Sequence, residues 1–209
     1  MAIREESADV AEAIALLGNA RSPKRRSGAK RLQKMRVQAA GPALLAALQR
    51  EMRDARTWET QLEMIRALAR CDYAPALSYL EELARHPFKA TMVYRGLGYA
   101  IIYLQRNGSG VNDVALGITA TANNLLIGGA LEALAELGLS VRSDVIISTL
   151  AYVSKQPIDL STEALWYAAA LAAAAWGGPE SAAFLRRCAA EAPDWINQAV
   201  LRAGRRSSC

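Results

Sequence analysis

Residues 42–86 read PALLAALQREMRDARTWETQLEMIRALARCDYAPALSYLEELARH. In this stretch the apolar residues recur at spacings of three and four, which is the period of a helix with one buried face. Three successive sets show the period: Leu44, Leu45, Leu48 and Met52; Leu62, Ile65, Leu68 and Ala69; Leu77, Leu80, Leu83 and Ala84. The stretch therefore predicts three consecutive amphipathic helices.

Helix start and stop signals extend this pattern toward both ends of the chain. Prolines follow Ser22 and Gly178, where a first helical turn tolerates them, and Gly138 suits a helix end. We predict about twelve helices, near residues 5–17, 22–36, 42–53, 58–70, 74–86, 89–106, 111–121, 124–138, 141–154, 161–176, 179–191 and 194–203. Residues 114–120 and 145–147 would also suit strands, but a lone strand cannot satisfy its backbone groups, so we predict helices there.

The spacing of these helices predicts the architecture. Helices that begin near 42, 74, 111, 141 and 179 alternate with helices that begin near 58, 89, 124, 161 and 194, so a helix pair recurs roughly every 30 to 40 residues. We expect an all-α superhelix of about six antiparallel helix pairs. It forms one domain over residues 1–209, with 1–20 as an amino-terminal capping helix and 204–209 as a flexible tail.

A family resemblance points the same way. SPKRRSGAKRLQKMRVQAAGPALLAALQREMRD at 22–54 and TWETQLEMIRALARCDYAPALSYLEELARH at 57–86 resemble HEAT-type repeats: a first helix carrying PALLAAL, a turn with an aspartate, and a second helix with IRALA. PALSYLEEL at Pro75 restates the first-helix pattern, and ALEALAELG restates the second-helix ending at 130–138. The resemblance implies an α-solenoid whose second helices line a concave groove.

Charge is unevenly distributed along the chain, whose net charge is +5. Between Arg21 and Arg36 lie 8 of the 25 basic residues and no acidic one. Arg26, Lys30 and Lys34 fall on one helical stripe, flanked by Lys24 and Arg31. We expect this stripe to be exposed, and its function would be contact with a phosphate backbone or an acidic protein surface. The other interpretation is a soluble outer face of a terminal repeat.

The second candidate surface is the groove that the second helices would form. Its candidate partner-binding residues are Trp58, Glu59, Glu63, Arg66, Tyr94, Arg95, Tyr99 and Trp166. Aromatic side chains beside charged ones are typical of binding sites. Each aromatic residue could instead pack between helix pairs, and this alternative applies most to Trp166, which lies among alanines. Trp58 and Tyr94 are the better candidates.

The sequence contains no pattern typical of a catalytic or cofactor-binding motif. His86 is the single histidine and stands next to Pro87, where it suits a helix C-terminus. The loop 106–110 lacks the glycine pattern of a phosphate-binding loop. Cys71, Cys188 and Cys209 are far apart and form no CxxC pair. We therefore predict no catalytic residue, no metal site and no cofactor.

The cysteines and the hydropathy of the chain indicate its cellular compartment. Unpaired cysteines suit a reducing cytoplasm. The amino terminus carries acidic residues where a signal peptide needs an apolar core, and the most apolar segment, 164–178, is shorter than the roughly 20 residues of a membrane-spanning helix. We expect a cytoplasmic protein with no membrane contact that is a monomer on its own.

These features favour a non-catalytic module that binds a partner protein in its groove, as an adaptor, a regulator or an immunity or antitoxin-like inhibitor. The alternative is a nucleic-acid-binding solenoid that uses Arg26, Lys30, Arg31 and Lys34. The third and least favoured hypothesis is an enzyme, a DNA glycosylase of HEAT-like architecture. Such an enzyme needs a catalytic aspartate among aromatic residues, whereas Asp54, Asp72 and Asp113 are expected in turns.

Overall fold

The computed structural model describes residues 2–191, with side chains from residue 8 onward. This part of the chain is all-helical and contains no strand, which confirms the predicted fold class. Its eleven helices are α1 (Ala2–Leu16), α2 (Ser22–Met35), α3 (Gly41–Glu51), α4 (Trp58–Arg70), α5 (Leu77–Ala84), α6 (Met92–Gln105), α7 (Val111–Ala120), α8 (Asn124–Leu137), α9 (Ser143–Ser154), α10 (Glu163–Trp176) and α11 (Gly178–Glu191). Short 3-10 helices, Gln38–Ala40, Ala55–Thr57 and Ala74–Ala76, precede α3, α4 and α5.

The predicted helix ends differ from the observed ones at a few places. The helix predicted over 74–86 is a 3-10 turn around Pro75 followed by α5. The helix predicted from 89 begins at Met92, after a loop over 85–91. The two segments with strand-like patterns are the helices α7 and α9. The twelfth predicted helix, its cap Asp194 and the tail with Cys209 lie outside the described residues.

The chain divides into two compact units, Met1–Leu104 and Gln105–Cys209. In the first unit α2 packs between α1 and α4, and α3 packs on α4. Within each unit the helices contact their sequence neighbours, as stacked helix pairs do. The extent of a single domain over 1–209 stays a prediction.

The core of the first unit includes seven of the twelve residues in the three periodic sets, Leu44, Leu48, Ile65, Leu68, Ala69, Leu80 and Leu83. The other five, Leu45, Met52, Leu62, Leu77 and Ala84, are only half-buried. Fully buried members are Leu32, Leu44, Leu48, Met64, Ile65, Leu68, Leu80, Leu97 and Ile102. A glycine permits a close approach of two helices, because a Cβ added at Gly28 of α2 would lie 2.7 Å from the carbonyl oxygen of Ala13 in α1. Glycine at this position therefore lets α1 and α2 pack backbone to backbone.

In the second unit α8 and α10 form the most extensive helix contact, and α7, α9 and α11 pack in a row. Seven of the 14 residues of the alanine-rich α10 are buried. Trp166 of α10 stacks on Phe184 of α11 with ring centroids 5.4 Å apart. Across the described part of the chain no helix combines the length and the apolar character needed to cross a bilayer.

Candidate functional site

Helices α2 and α4 lie side by side and carry matched charges along their common surface. Arg26 of α2 pairs with Glu59 of α4, and one turn further along both helices Lys30 pairs with Glu63, with 3.5 Å between Nζ and Oε1. The two helices therefore run in the same direction. We call the surface formed by the exposed stripes of these two helices the α2–α4 face; its members are Arg26, Lys30, Lys34, Trp58, Glu59, Glu63, Arg66 and Arg70.

A polar network fixes the amino-terminal end of this face. The guanidinium of Arg25 donates to both carboxylate oxygens of Glu51, from Nε at 2.6 Å and from Nη2 at 2.8 Å. The hydroxyl of Ser22 donates to the same carboxylate at 3.1 Å and lies 2.7 Å from the hydroxyl of Thr60. Only 3% of the Glu51 side chain is exposed. Because these bonds join α2, α3 and α4, they hold the register of the three helices.

The network determines the protonation of Glu51. Burial raises the pKa of this carboxyl, but hydrogen bonds from Arg25, Thr57 and Ser22, with the positive charge of Arg25, outweigh burial and hold the pKa below its ordinary value. Glu51 is therefore ionised at neutral pH and compensates the charge of Arg25. Sequence reasoning missed this pair because Arg25 and Glu51 lie 26 residues apart on different helices. α2 begins at Ser22, and its capping position is Arg21.

The basic stripe of α2 is not the uncompensated surface that the sequence predicts. Arg26 and Arg31 are half-buried. The carboxylates come from neighbouring helices: Glu59 for Arg26, Glu63 for Lys30, and Glu12 for Arg31, with 2.9 Å between Nη1 and Oε1. Lys34 is exposed and has no ion-pair partner among residues 8–191. Three of the four candidate nucleic-acid-binding residues are therefore paired within the chain.

The α4 members of the predicted groove lie on the α2–α4 face. Glu59 is exposed, and Trp58, Glu63 and Arg66 are half-buried. Tyr99 of α6 is buried, with 2% of its surface exposed, beneath the guanidinium of Arg66 at 5.5 Å from its ring centroid. The prediction that Tyr99 contacts a partner is wrong, because its ring packs between α4 and α6.

Tyr94 and Arg95 lie at the amino-terminal end of α6, and both are half-buried. The hydroxyl of Tyr94 donates to the carbonyl oxygen of His86 at 2.7 Å and accepts from the backbone N–H of Phe88 at 3.3 Å. Its ring meets Phe88 edge to face at 5.1 Å. Tyr94 therefore holds the loop over 85–91 against α6. These contacts explain the presence of a tyrosine at this position without invoking a partner protein.

Trp166 is fully buried in the second unit. Its indole N–H donates to the carbonyl oxygen of Pro157 at 3.0 Å, and Arg187 lies over its ring at 5.6 Å. The prediction that Trp166 contacts a partner is therefore wrong. The alternative that the sequence left open, packing between adjacent helix pairs, is confirmed.

Two cysteines and two aspartates that the sequence analysis considered are buried or paired within the chain. Burial raises the pKa of the Cys71 and Cys188 thiols to about 11, so neither supplies a thiolate at neutral pH. Hydrogen bonds from Arg56 lower the pKa of Asp54 to about 2. Asp54 pairs with Arg56 at the start of the 3-10 helix Ala55–Thr57, whereas Asp113, expected in a turn, lies in the first turn of α7 and pairs with Arg142. Within the described residues, no group of three or more histidine, cysteine, aspartate or glutamate side chains could hold a metal ion.

Comparison with known proteins gives no match: no protein-family model, no curated protein and no solved structure is significantly similar to this chain.

Proposed function

We propose that this chain is a non-catalytic helical-repeat module of HEAT-like architecture that binds a partner protein on its α2–α4 face. The observation that carries the proposal is the pairing of charges of both signs along that face, Arg26 with Glu59 and Lys30 with Glu63. We call these two ion pairs the ladder. Trp58 lies beside the ladder at the first turn of α4. A half-buried tryptophan next to charged residues of both signs supports recognition of a protein surface.

The ladder favours a protein over a nucleic acid. A phosphate backbone is bound by cations that release their counterions, and each cation already neutralised by a carboxylate contributes little to that gain. Arg26, Lys30 and Arg31 are in this state. A protein partner can offer both charge signs, so each member of the ladder can exchange its partner for one across the interface. Glu59 and Lys30, with 55% and 58% of their side chains exposed, are the most accessible members.

In this proposal the chain acts only by binding its partner, as an adaptor, a regulator or an immunity-type inhibitor. It works as a monomer in the cytoplasm, where the buried free thiols Cys71 and Cys188 remain reduced. No cofactor takes part. The ion pairs of Asp54 and Asp113 with arginines argue against a DNA glycosylase.

Site-specific photocrosslinking tests the proposal. A photoreactive benzophenone amino acid replaces Glu59 or Lys30 on the face, and in matched controls it replaces Ala46 or Ser78, which are exposed on α3 and α5. Irradiation in the source cells is expected to give one discrete protein adduct from both face positions and none from the controls. Adducts with nucleic acid, or equal protein adducts from all four positions, would contradict the proposal.

A further inference from the structure

Four unpaired positive charges of the first unit lie together beside the links between α1 and α2 and between α3 and α4. Residues 17–25 cover the link from α1 and the first turn of α2, and residues 47–56 cover the end of α3 and the link toward α4. Together they hold six cations and two carboxylates. Arg25 ties the two segments together, since it donates to the carbonyl oxygens of Asn19 and Ala20 and to the carboxylate of Glu51. The two turns therefore form one continuous edge.

Both carboxylates on this edge are already neutralised, Glu51 by Arg25 and Asp54 by Arg56. The remaining four cations, Arg21, Lys24, Arg50 and Arg53, are exposed and have no side-chain ion pair among residues 8–191. We call these four residues the basic edge. In contrast to the stripe of α2, the basic edge presents charge that the chain itself does not compensate.

A cleft of about 240 Å³ opens beside the basic edge. Its walls combine the apolar side chains of Leu17 and Ala47 with Gly18 and the polar groups of Asn19, Arg25, Arg50, Glu51 and Asp54. The two carboxylates are the ones that Arg25 and Arg56 already neutralise. This volume is below the roughly 300 to 1,000 Å³ that is typical of small-molecule sites. The cleft therefore suits a single side chain of a bound polypeptide better than a cofactor.

We propose that the basic edge docks an acidic segment of the partner protein, with carboxylates on Arg21, Lys24, Arg50 and Arg53 and one apolar side chain in the adjoining cleft. This proposal rests on the proposed function and names the chemistry of the partner. Arginine forks match carboxylate geometry and hold their charge at any physiological pH. The half-apolar cleft favours a polypeptide over a nucleic acid, whose phosphate backbone would leave it unfilled. Four cations are also fewer than the roughly 6 to 10 phosphate contacts of a strong DNA binder.

A peptide titration tests this inference. The probe is a fluorescein-labelled twelve-residue peptide of three Glu-Leu-Glu-Glu repeats, followed by fluorescence anisotropy with the full chain at about 50 mM NaCl, where charge contacts are only partly screened. The edge variant carries Arg21→Gln, Lys24→Gln, Arg50→Gln and Arg53→Gln. Its matched control carries Arg85→Gln, Lys89→Gln, Lys155→Gln and Arg186→Gln, four exposed cations elsewhere with the same total charge.

We expect the edge variant to bind the peptide at least about tenfold more weakly than wild type, and the control to stay within about twofold, because only the edge charges meet the carboxylates. Replacing the leucines of the peptide with glycine is expected to weaken binding severalfold through the cleft. Circular dichroism of both variants verifies that the helices persist. Arg50→Gln alone alters one exposed side chain, and we expect it to weaken peptide binding less than the edge variant does.

Three results would overturn the inference. The first is absence of peptide binding by wild type, and the second is equal loss in the edge variant and the control. The third is tighter binding of a twelve-base-pair duplex DNA that only the edge variant loses, which would assign the edge to nucleic acid. Persistence of the photocrosslinked adduct at position 59 in any of these cases would leave the proposed function intact, so the two failures are distinguishable.

Discussion

Lys30 of α2 and Glu63 of α4 form an ion pair at 3.5 Å, one helical turn beyond the pair of Arg26 with Glu59. Exposed pairs of this kind contribute only about 0 to 1 kcal/mol to stability. The ladder is therefore a weak account of why α2 and α4 associate. An extensive contact joins the two helices, in which the buried Cys71 thiol at the end of α4 donates to the carbonyl oxygen of Leu32, and the charges remain open to exchange with an outside surface.

Two glycines in helices predict substitutions of opposite sign. Gly28→Ala brings a Cβ to 2.7 Å from the carbonyl oxygen of Ala13, whereas a Cβ at Gly117 of α7 meets nothing within 4 Å. Alanine gains about 0.5 to 1 kcal/mol of helix propensity at either place. We expect Gly117→Ala to keep this gain. Gly28→Ala should instead lose about 1 to 2 kcal/mol net, since overpacking costs roughly 1 to 3 kcal/mol.

Urea unfolding of the two glycine variants provides the measurement. A shift of both midpoints to higher urea would mean that α1 and α2 are not in backbone contact at Gly28.

Glu51 gives a prediction for acid stability. Its pKa is lowered in the folded chain, so its contribution is fully present above the unfolded value of about 4.3 and is lost as pH falls through the folded value. We expect Glu51→Gln to lose about 1 to 3 kcal/mol at pH 7, because the half-buried Arg25 loses its charged partner. The difference from wild type should shrink as the pH is lowered from about 5 to about 3.

Urea titrations at several pH values measure the Glu51 effect. Glu180→Gln is the matched control, since Glu180 is exposed and has no ion pair in the described part of the chain. A wild-type to Glu51→Gln difference that is constant with pH would contradict the assigned role.

Tyr94 gives a prediction for the loop over 85–91. Tyr94→Phe removes the hydroxyl that donates to His86 and accepts from Phe88, a loss of about 1 kcal/mol per net hydrogen bond. The loop should open more often, and trypsin should cleave faster after the exposed Arg85 and Lys89. Tyr79→Phe is the control, as no hydrogen bond of its hydroxyl is found among the described residues. Equal cleavage rates in both variants would show that the hydroxyl of Tyr94 does not hold the loop.

Much of the fold could be predicted because helix periodicity is local. The helix expected at 58–70 is Trp58–Arg70, and Ile65 and Leu68 are fully buried as their spacing indicates. The departures lie at prolines: Pro75 occupies a 3-10 turn, and the segment around Pro87 is a loop. Both follow from the restriction that proline places on the preceding residue.

The site was less predictable because it depends on which helix faces which. α10 is apolar all round, so its sequence does not tell whether Trp166 points to the core or to a groove. The basic helix looked uncompensated because its carboxylates, Glu12 and Glu59, lie in other helices. The cations that do remain unpaired, such as Arg50 and Arg53, are distant in sequence from Lys24.

An exchange of charges on the α2–α4 face tests the central claim most directly. Arg26→Glu with Glu59→Arg, and Lys30→Glu with Glu63→Lys, keep both ion pairs and the net charge but invert the pattern that a partner meets. The control exchanges Arg142 and Asp144, a pair whose two residues are both exposed at the start of α9. With the photocrosslinked partner, isothermal titration calorimetry should give a Kd at least about tenfold higher for the inverted ladder, corresponding to about 1.4 kcal/mol, and an unchanged Kd for the control. A wild-type Kd for the inverted ladder, in a variant that unfolds at the wild-type temperature, would contradict the assignment of this face to partner binding.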